Sequence, residues 1–236
     1  MRVALVGYGK MGRVVEAVAA AKGIEVVERF TRERPLRAGE AARRALAGVA
    51  LIDFSVPEAV AGTARTAAEL SLPLVIGTTG WHERLDEVRA AIAGSAAGAV
   101  HASNFSLGVN VFYRLAEQAA KLLAAVDSYD PFILDWHHRF KQDSPSGTAL
   151  EIRRRMARHY GEREVPIACQ RAGYVPSVHS VGFDSEADTI HLEHRARNRQ
   201  GFAEGALLAA GWIAGRQGFH GFGDVLDDLL PAEPGR

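Results

Sequence analysis

Apolar residues fall in short runs along the first hundred positions. Arg2-Val3-Ala4-Leu5-Val6 is such a run, and others recur at 24–27, 49–54, 74–76 and 99–101. Short, mostly apolar runs suit strands buried on both faces of a parallel sheet. Segments of roughly 10–15 residues with helical spacing separate them. This alternation predicts an α/β doubly wound (Rossmann) parallel sheet with right-handed crossovers. From Leu107 to about Val126 apolar positions keep helical spacing, which predicts one long amphipathic helix, expected to bridge two domains. The pattern then changes. An apolar run at 131–134 predicts a strand and leads into a helix from about Gly147. Runs at 165–169, 174–183 and 189–194 predict further strands, the last two joined as a hairpin by Asp184-Ser185-Glu186-Ala187-Asp188. Together they predict a mixed open sheet with one or two helices, an α+β domain. An Ala- and Gly-rich helix from Gly201 to about Arg216 closes the pattern.

Composition narrows the class. With 236 residues, 47% of them apolar, the chain can bury one large core or two modest ones. Formal net charge is zero, which gives no electrostatic case for nucleic acid or an acidic membrane surface. Cys169 is the one cysteine, so neither a disulfide framework nor a cysteine-based metal cage is available. No apolar run approaches the roughly 18 residues of a membrane span, and Met1 leads straight into a strand pattern. A soluble, cytoplasmic protein is expected.

The first run ends in Gly7-Tyr8-Gly9-Lys10-Met11-Gly12, the G-x-G-x-x-G spacing between strand and helix. Gly7 permits the turn, Gly9 admits a pyrophosphate to the backbone, and Gly12 lets helix pack on strand. The helix N-terminus then meets the phosphates. Later runs end in Asp53-Phe54-Ser55-Val56-Pro57, Gly77-Thr78-Thr79-Gly80 and Ala102-Ser103-Asn104-Phe105-Ser106. Ligands of open α/β sheets lie at the carboxyl ends of strands, so these loops should face the cofactor.

The choice of nicotinamide cofactor turns on the second strand. If it ends near Phe30, the ribose meets Thr31 and Arg32, and a guanidinium can fork onto a 2′-phosphate. If it ends earlier, Glu28 takes the ribose hydroxyl and repels that phosphate. Phe30 continues the apolar pattern, so NADPH is expected, with NADH also usable.

The densest chemistry lies at 135–149. Two adjacent histidines, a lysine and a Ser-Gly-Thr helix start share one loop. The helix N-terminus with the hydroxyls of Ser146 and Thr148 suits a carboxylate. Lys141 can hold the same anion or give up a proton, and a histidine can act as general acid near neutral pH. Lysine occurs only at 10, 22, 121 and 141 among 28 Lys and Arg residues, so a lysine here stands out in an arginine-rich chain. No metal site is expected, since His179, His191 and His194 on neighbouring strands lack supporting carboxylate or cysteine spacing.

His137-His138-Arg139-Phe140-Lys141-Gln142-Asp143-Ser144-Pro145-Ser146-Gly147-Thr148-Ala149 resembles the signature of the 4-hydroxy-tetrahydrodipicolinate (dihydrodipicolinate) reductases of lysine and diaminopimelate biosynthesis. The resemblance extends to the Gly-Thr-Thr-Gly and Ala-x-Asn-Phe-Ser segments, to Arg171-Ala172-Gly173, His179 and His194-Arg195-Ala196-Arg197-Asn198-Arg199, and so to nearly the whole chain. It implies reduction of a cyclic imine dicarboxylate, with His137 protonating the ring carbon next to the hydride acceptor and Lys141 a second proton donor. It assigns substrate carboxylates to His138, Ser146, Gly147 and Thr148, with Thr79 at the substrate as well. The nucleotide falls to residues 7–12, to Thr31 and Arg32, to Gly77, Thr78 and Thr79, and to Ala102, Ser103, Asn104 and Phe105. It also implies a nucleotide domain of 1–105 plus 202–236, a substrate and oligomerisation domain of 106–201, and a homotetramer formed through the second-domain sheet. The chain departs at Asp135 and Trp136, where the family usually has Glu and a small residue, at Ser144 and at Ser177-Val178, and its glycine turn is one residue shorter than in many members. Two other readings stay open: another small imine or amino-acid dehydrogenase of this architecture, and a non-catalytic nucleotide sensor.

Overall fold

The structure, a computed structural model, describes residues 1–230, so the expected domain end at 236 lies outside the described residues. The chain divides into two compact units, one of residues 1–106 with the segment from Gln200 onward, the other of residues 107–199.

In the first unit β1 (Arg2–Val6) pairs in parallel with β2 (Glu25–Phe30) on one side and β3 (Val49–Asp53) on the other. Beyond β3 follow β4 (Leu74–Ile76), β5 (Gly98–His101) and β10 (Gly218–Gly221), all parallel, in the order β10-β5-β4-β3-β1-β2. The chain leaves β1 toward one edge and returns to build toward the other, so a switch point lies between β1 and β3. Strand residues alternate between two cores, as the pleat requires. Val3, Leu5, Ala50, Ile52, Val75 and Val100 meet α1 (Lys10–Ala21), α7 (Gln200–Ile213) and α8 (Phe222–Leu229). Ala4, Val49, Leu51, Leu74, Ile76 and Ala99 meet α3 (Pro57–Leu70) and α4 (Leu85–Ala93) on the opposite face, with Leu46 after the short α2 (Glu40–Ala45). Doubly covered strands explain why the runs read as continuously apolar.

In the second unit β6 (Asp130–His137) pairs in parallel with β7 (Ile167–Arg171) and antiparallel with β8 (Ser177–Asp184). The hairpin partner β9 (Thr189–Ala196) completes the order β7-β6-β8-β9. The amphipathic stripes of α5 (Leu107–Leu123) and α6 (Gly147–Tyr160) cover one face, packing Phe112, Tyr113, Ile152 and Met156 around Ile133, Val181 and Phe183. The other face of β6 carries Phe132, Leu134 and Trp136, none of them fully buried. The Phe132 ring lies over Gly182, where a Cβ would come within 2.0 Å of it.

Several boundaries differ from those the pattern predicts. The strand expected from 165 begins at Ile167, because Pro166 has no N–H to pair and uses only its carbonyl, which accepts from Ile133 N at 2.9 Å. The strand expected from 174 begins at Ser177, after Gly173 turns with φ of 65° and Pro176 interrupts the ladder. Neither β10 nor α8 was expected. A four-residue, half-buried edge strand with a glycine at each end carries no periodic signal.

α7 shows why its sequence is so rich in small residues. A Cβ on Gly205 would lie 1.7 Å from the Phe105 carbonyl oxygen and 3.2 Å from the Phe222 ring. Alanine would gain up to about 1 kcal/mol of helix propensity, but a backbone atom at that distance cannot swing away. Overpacking of about 1–3 kcal/mol or more should win. Gly205→Ala is therefore expected to lower the urea midpoint clearly, and an unchanged or higher midpoint would contradict this packing.

Candidate functional site

The parallel ladder of the first unit continues one residue past its strands. Gly7 N donates to Phe30 O at 3.0 Å, Phe54 N to Val6 O at 2.9 Å, Gly77 N to Asp53 O at 2.8 Å and Ala102 N to Ile76 O at 3.3 Å. The four loops at 7–12, 54–57, 77–80 and 102–106 therefore leave the same sheet edge. Gly7 has φ of 87°, and a Cβ there would lie 2.5 Å from Phe54 O. A Cβ on Gly12 would lie 2.5 Å from Gly7 O, whereas one on Gly9 would meet nothing within 4 Å. Gly9 is the N-cap of α1 and supplies no capping side chain. Two glycines admit close packing and the third leaves open space before the N–H groups of a helix start. That combination fits a pyrophosphate.

Around this turn lie side chains with specific partners. Tyr8 donates its hydroxyl to Glu16, and the guanidinium carbons of Arg13 and Arg29 each stand 5.8 Å from its ring. Arg29 Nε also donates to Glu16 at 2.8 Å. β2 runs to Phe30, so Thr31 and exposed Arg32 follow at the loop edge. Glu28 is held by Arg34 and by the backbone N of Arg29 at 2.9 Å. Thr31 is itself engaged, its hydroxyl donating to Glu33 at 2.8 Å. Thr79 is exposed on its loop, Ala102 and Asn104 are half-buried, Ser103 is exposed, and Asn104 Oδ1 accepts from Ser106 N at 2.9 Å. Phe105 is buried against Phe222, with ring centroids 4.9 Å apart, so any part it takes at the loop is through its backbone.

Asp53 ends β3 fully buried. Its Oδ1 accepts from Ser55 N at 2.8 Å, Ser55 Oγ at 2.6 Å and Thr78 Oγ1 at 2.8 Å, tying two of the four loops together. Its Oδ2 is buried with no hydrogen-bond partner. Burial raises its pKa, and the neutral donors Ser55, Thr78 and Thr63 only partly oppose that.

In the second unit the expected loop gathers around another buried carboxylate. Asp135 Oδ2 accepts from Ser146 N at 2.7 Å and Arg171 Nη2 at 2.8 Å, and Oδ1 accepts from Ser146 Oγ at 2.9 Å. His137 Nδ1 lies 2.9 Å and His179 Nε2 3.4 Å from the same Oδ1. The His137 contact lacks hydrogen-bond alignment, as expected for two residues of one strand face. Burial alone would raise the Asp135 pKa, but the surrounding donors on His137, His179, Arg171 and Ser146 overcome it and hold the carboxyl far below the usual carboxylate range. His179 is held below its ordinary value chiefly by burial, against the pull of Asp135. Arg171 reaches on to the Asp143 carbonyl at 2.9 Å, and Lys141 Nζ stands 2.8 Å from Asp143 Oδ1. His137 is buried, His138 half-buried and Gly147 exposed.

The Ser146 hydroxyl, expected at an anionic substrate, and its N–H both point at Asp135 here, while Oγ caps Ala149 N at 3.2 Å. Gly147 and Thr148 follow Ser146 in the first turn of α6. The Thr148 hydroxyl is hydrogen-bonded to buried Tyr113 of α5, a contact with no signal in the sequence. A grouping of possible metal ligands does form, from Asp135, His137 and His179 within 4.8 Å, rather than the three histidines considered in the sequence. A guanidinium 2.8 Å from its carboxylate opposes a second cation there.

A doubly wound sheet with an uncapped glycine turn, joined in sequence to a mixed-sheet unit carrying a His-His-Lys loop, defines a nicotinamide-nucleotide reductase architecture. The comparisons agree. Family models described as dihydrodipicolinate reductase, N-terminus and C-terminus, match residues 1–105 and 108–226. Among curated relatives, the 4-hydroxy-tetrahydrodipicolinate reductase of Christiangramia forsetii is 34% identical, over 98% of this chain and 99% of the relative. That of Archaeoglobus fulgidus is 38% identical over 96% of this chain and 100% of the relative. A solved dihydrodipicolinate reductase from Paenisporosarcina sp. TG-14, bound to dipicolinate, shares the fold with a TM-score of 0.75 and 22% identity, covering 98% of this chain and 99% of that one. The chain belongs to the dihydrodipicolinate reductase family, whose members are pyridine-nucleotide-dependent reductases. Among the described residues no helix is long and apolar enough to cross a membrane.

Asp53 supplies a test of the nucleotide-type unit. Ser55 N, Ser55 Oγ and Thr78 Oγ1 all donate to Oδ1, so Asp53→Asn can keep them and place its amide at the Oδ2 position. Because the folded-state pKa is raised, the wild-type carboxyl favours folding only when protonated. Its disadvantage against asparagine should grow as pH rises from about 4, the unfolded value. Asp53→Asn is expected to match or exceed wild-type stability at neutral pH, by about 1–3 kcal/mol. The gap should close in acid. A variant that is less stable at neutral pH than at pH 4 relative to wild type would refute the assignment.

Proposed function

We propose that the chain catalyses NAD(P)H-dependent reduction of 4-hydroxy-tetrahydrodipicolinate to tetrahydrodipicolinate in the cytoplasmic lysine and diaminopimelate route. The first unit would bind the nucleotide and the second the substrate. Family membership supports the reaction, and one structural observation carries the site reading. The loop from β6 to α6 carries His137, His138 and Lys141 up to the start of a helix, with His137, Lys141 and the helix start tied to Asp135 directly or through Arg171 and Asp143.

Gly7, Tyr8, Gly9, Lys10, Met11 and Gly12 would hold the pyrophosphate, and the loops carrying Gly77, Thr78, Thr79, Ala102, Ser103, Asn104 and Phe105 the nicotinamide end. When bound, the reduced nicotinamide supplies the hydride. Once the substrate's 4-hydroxyl has left as water, His137 delivers a proton to the ring carbon beside the one that takes the hydride, and Lys141 is a second donor. A dicarboxylate finds positive potential at His138, Lys141 and the N–H groups of Gly147 and Thr148 at the N-terminus of α6. Thr79 would meet the substrate from its loop. Ser146 acts indirectly, by fixing the first turn of α6 against Asp135. The uncovered face of β6 with Phe132, Leu134 and Trp136 supports assembly as a homotetramer through this sheet.

Incubating the protein with freshly generated substrate and following loss of reduced nicotinamide tests the reaction. A nucleotide sensor would bind without turnover, and another imine or amino-acid dehydrogenase would turn over a different substrate. His137→Gln and Lys141→Ala should each lower kcat by roughly 10²–10⁴ fold, the usual worth of a positioned proton donor. Their nucleotide affinity should hardly change. Near-wild-type turnover in both would remove this assignment.

For the cofactor, the end of β2 at Phe30 supports ribose contact by Thr31 and Arg32, and the pairing of Glu28 with Arg34 lessens repulsion of a 2′-phosphate. NADPH is the proposed cofactor, with NADH also used. Arg32→Ala should weaken NADPH more than NADH by roughly 1–3 kcal/mol. Equal losses measured by titration of both nucleotides, or a strong wild-type preference for NADH, would overturn the proposal.

A further inference from the structure

We infer that Asp135 is a positioning residue that dictates which nitrogen of His137 can give a proton, holding Nδ1 protonated and leaving Nε2 to face the substrate. The inference rests on His137 being the proton donor proposed above, and adds how the protein sets the state of that ring.

His137 Nδ1 stands 2.9 Å from Asp135 Oδ1. An unprotonated Nδ1 would place the partial negative charge of that nitrogen 2.9 Å from a carboxylate oxygen, a Coulombic repulsion present whatever the alignment. Nδ1 therefore carries a proton in both the neutral and the charged ring, and Nε2 is the nitrogen that exchanges. The neighbours fix the remaining protons. Ser146 Oγ donates to Asp135 Oδ1 and accepts from Ala149 N, so His179 Nε2, 3.1 Å from Oγ, is the donor in that contact. His179 Nδ1, 3.2 Å from Ser177 Oγ, then accepts from that hydroxyl. The two rings stand 5.0 Å apart edge to face, and burial lowers the pKa of His179, disfavouring its charged form.

The same geometry predicts the effect of an isosteric amide. The Oδ2 position of residue 135 faces two obligate donors, the Ser146 N–H and the Arg171 guanidinium, with the Cys169 thiol farther off at 3.7 Å. An asparagine must therefore turn its NH₂ toward the Oδ1 position. There it meets the Ser146 hydroxyl, which can turn to accept, and His137 Nδ1, which can accept only by losing its proton. Asp135→Asn thus shifts the neutral His137 toward the Nε2–H tautomer and disfavours the charged ring. In the Ser-His-Asp triad the corresponding Asp→Asn change leaves geometry intact and lowers kcat by about 10⁴ through the wrong tautomer. Here the reaction keeps a second donor in Lys141, so a loss of roughly 10²–10⁴ fold is expected, the range for a positioned acid.

The experiment is ¹⁵N NMR of protein labelled in histidine, with the His137 signals identified by their loss in His137→Gln. Steady-state kinetics of Asp135→Asn and Asp135→Glu accompany it. Expected are a wild-type neutral ring with the proton on Nδ1, a switch to Nε2–H in Asp135→Asn, and a kcat lowered at least a hundredfold with nucleotide KM unchanged. Asp135→Glu, which keeps the charge, should retain the wild-type tautomer and recover more kcat than the amide. A wild-type ring with its proton on Nε2 overturns the inference, and that measurement needs no variant to fold. So does an Asp135→Asn protein that loses activity with no change of tautomer, or one within threefold of wild type while His137→Gln is inactive. Full activity of His137→Gln would instead sink the proton-donor reading, and this inference with it.

Discussion

An ionised carboxylate removed from water is tolerated only if the protein replaces the lost hydration with donors of its own, and much of the second unit is arranged around that requirement. Asp135 has no solvent exposure on its side chain. Its donors come from β7, β8, the start of α6 and its own strand, so these four segments share one electrostatic constraint. Removing one partner of such a buried cluster typically costs about 3–5 kcal/mol, because the remaining charge is left uncompensated. The loop between β6 and α6 is thereby fixed at both ends, with Arg171 also gripping it in the middle at the Asp143 carbonyl. Side chains that would handle protons and carboxylates sit on a loop whose geometry is enforced by charge rather than by its own backbone.

The first unit handles a buried carboxylate in the opposite way. Asp53 also sits at the carboxyl end of a strand and also binds two loops together, yet its partners are hydroxyls and an amide, with no cation. Burial then raises the pKa of Asp53, where the donors around Asp135 lower that of the second carboxyl. Around Asp53, backbone approaches rather than side-chain pairs set the shape. Gly7 against Phe54 O, Gly12 against Gly7 O and Gly205 against Phe105 O all require the absence of a Cβ.

The sequence by itself determined the α/β alternation, the mixed second sheet, the glycine turn and the loop at 137–148, because each rests on local chemistry. Pleat alternation, helical spacing, turn residues and caps are written within a few positions of one another. The family signature was equally local, thirteen consecutive residues. What only the tertiary structure decided are contacts made across sequence distance. Ser146 was legible as a helix cap, but that its hydroxyl serves Asp135 depends on strand and helix meeting in space. His179 and Arg171 could be noted in the chain, yet their convergence on one carboxylate follows from the pairing of β6 with both β7 and β8. Asp135 drew notice only as a departure in residue type, since no periodicity separates a buried charged hub from an ordinary strand aspartate. The strand order and the short β10 were likewise invisible, because a parallel partner is chosen by long-range packing and not by the residues beside it.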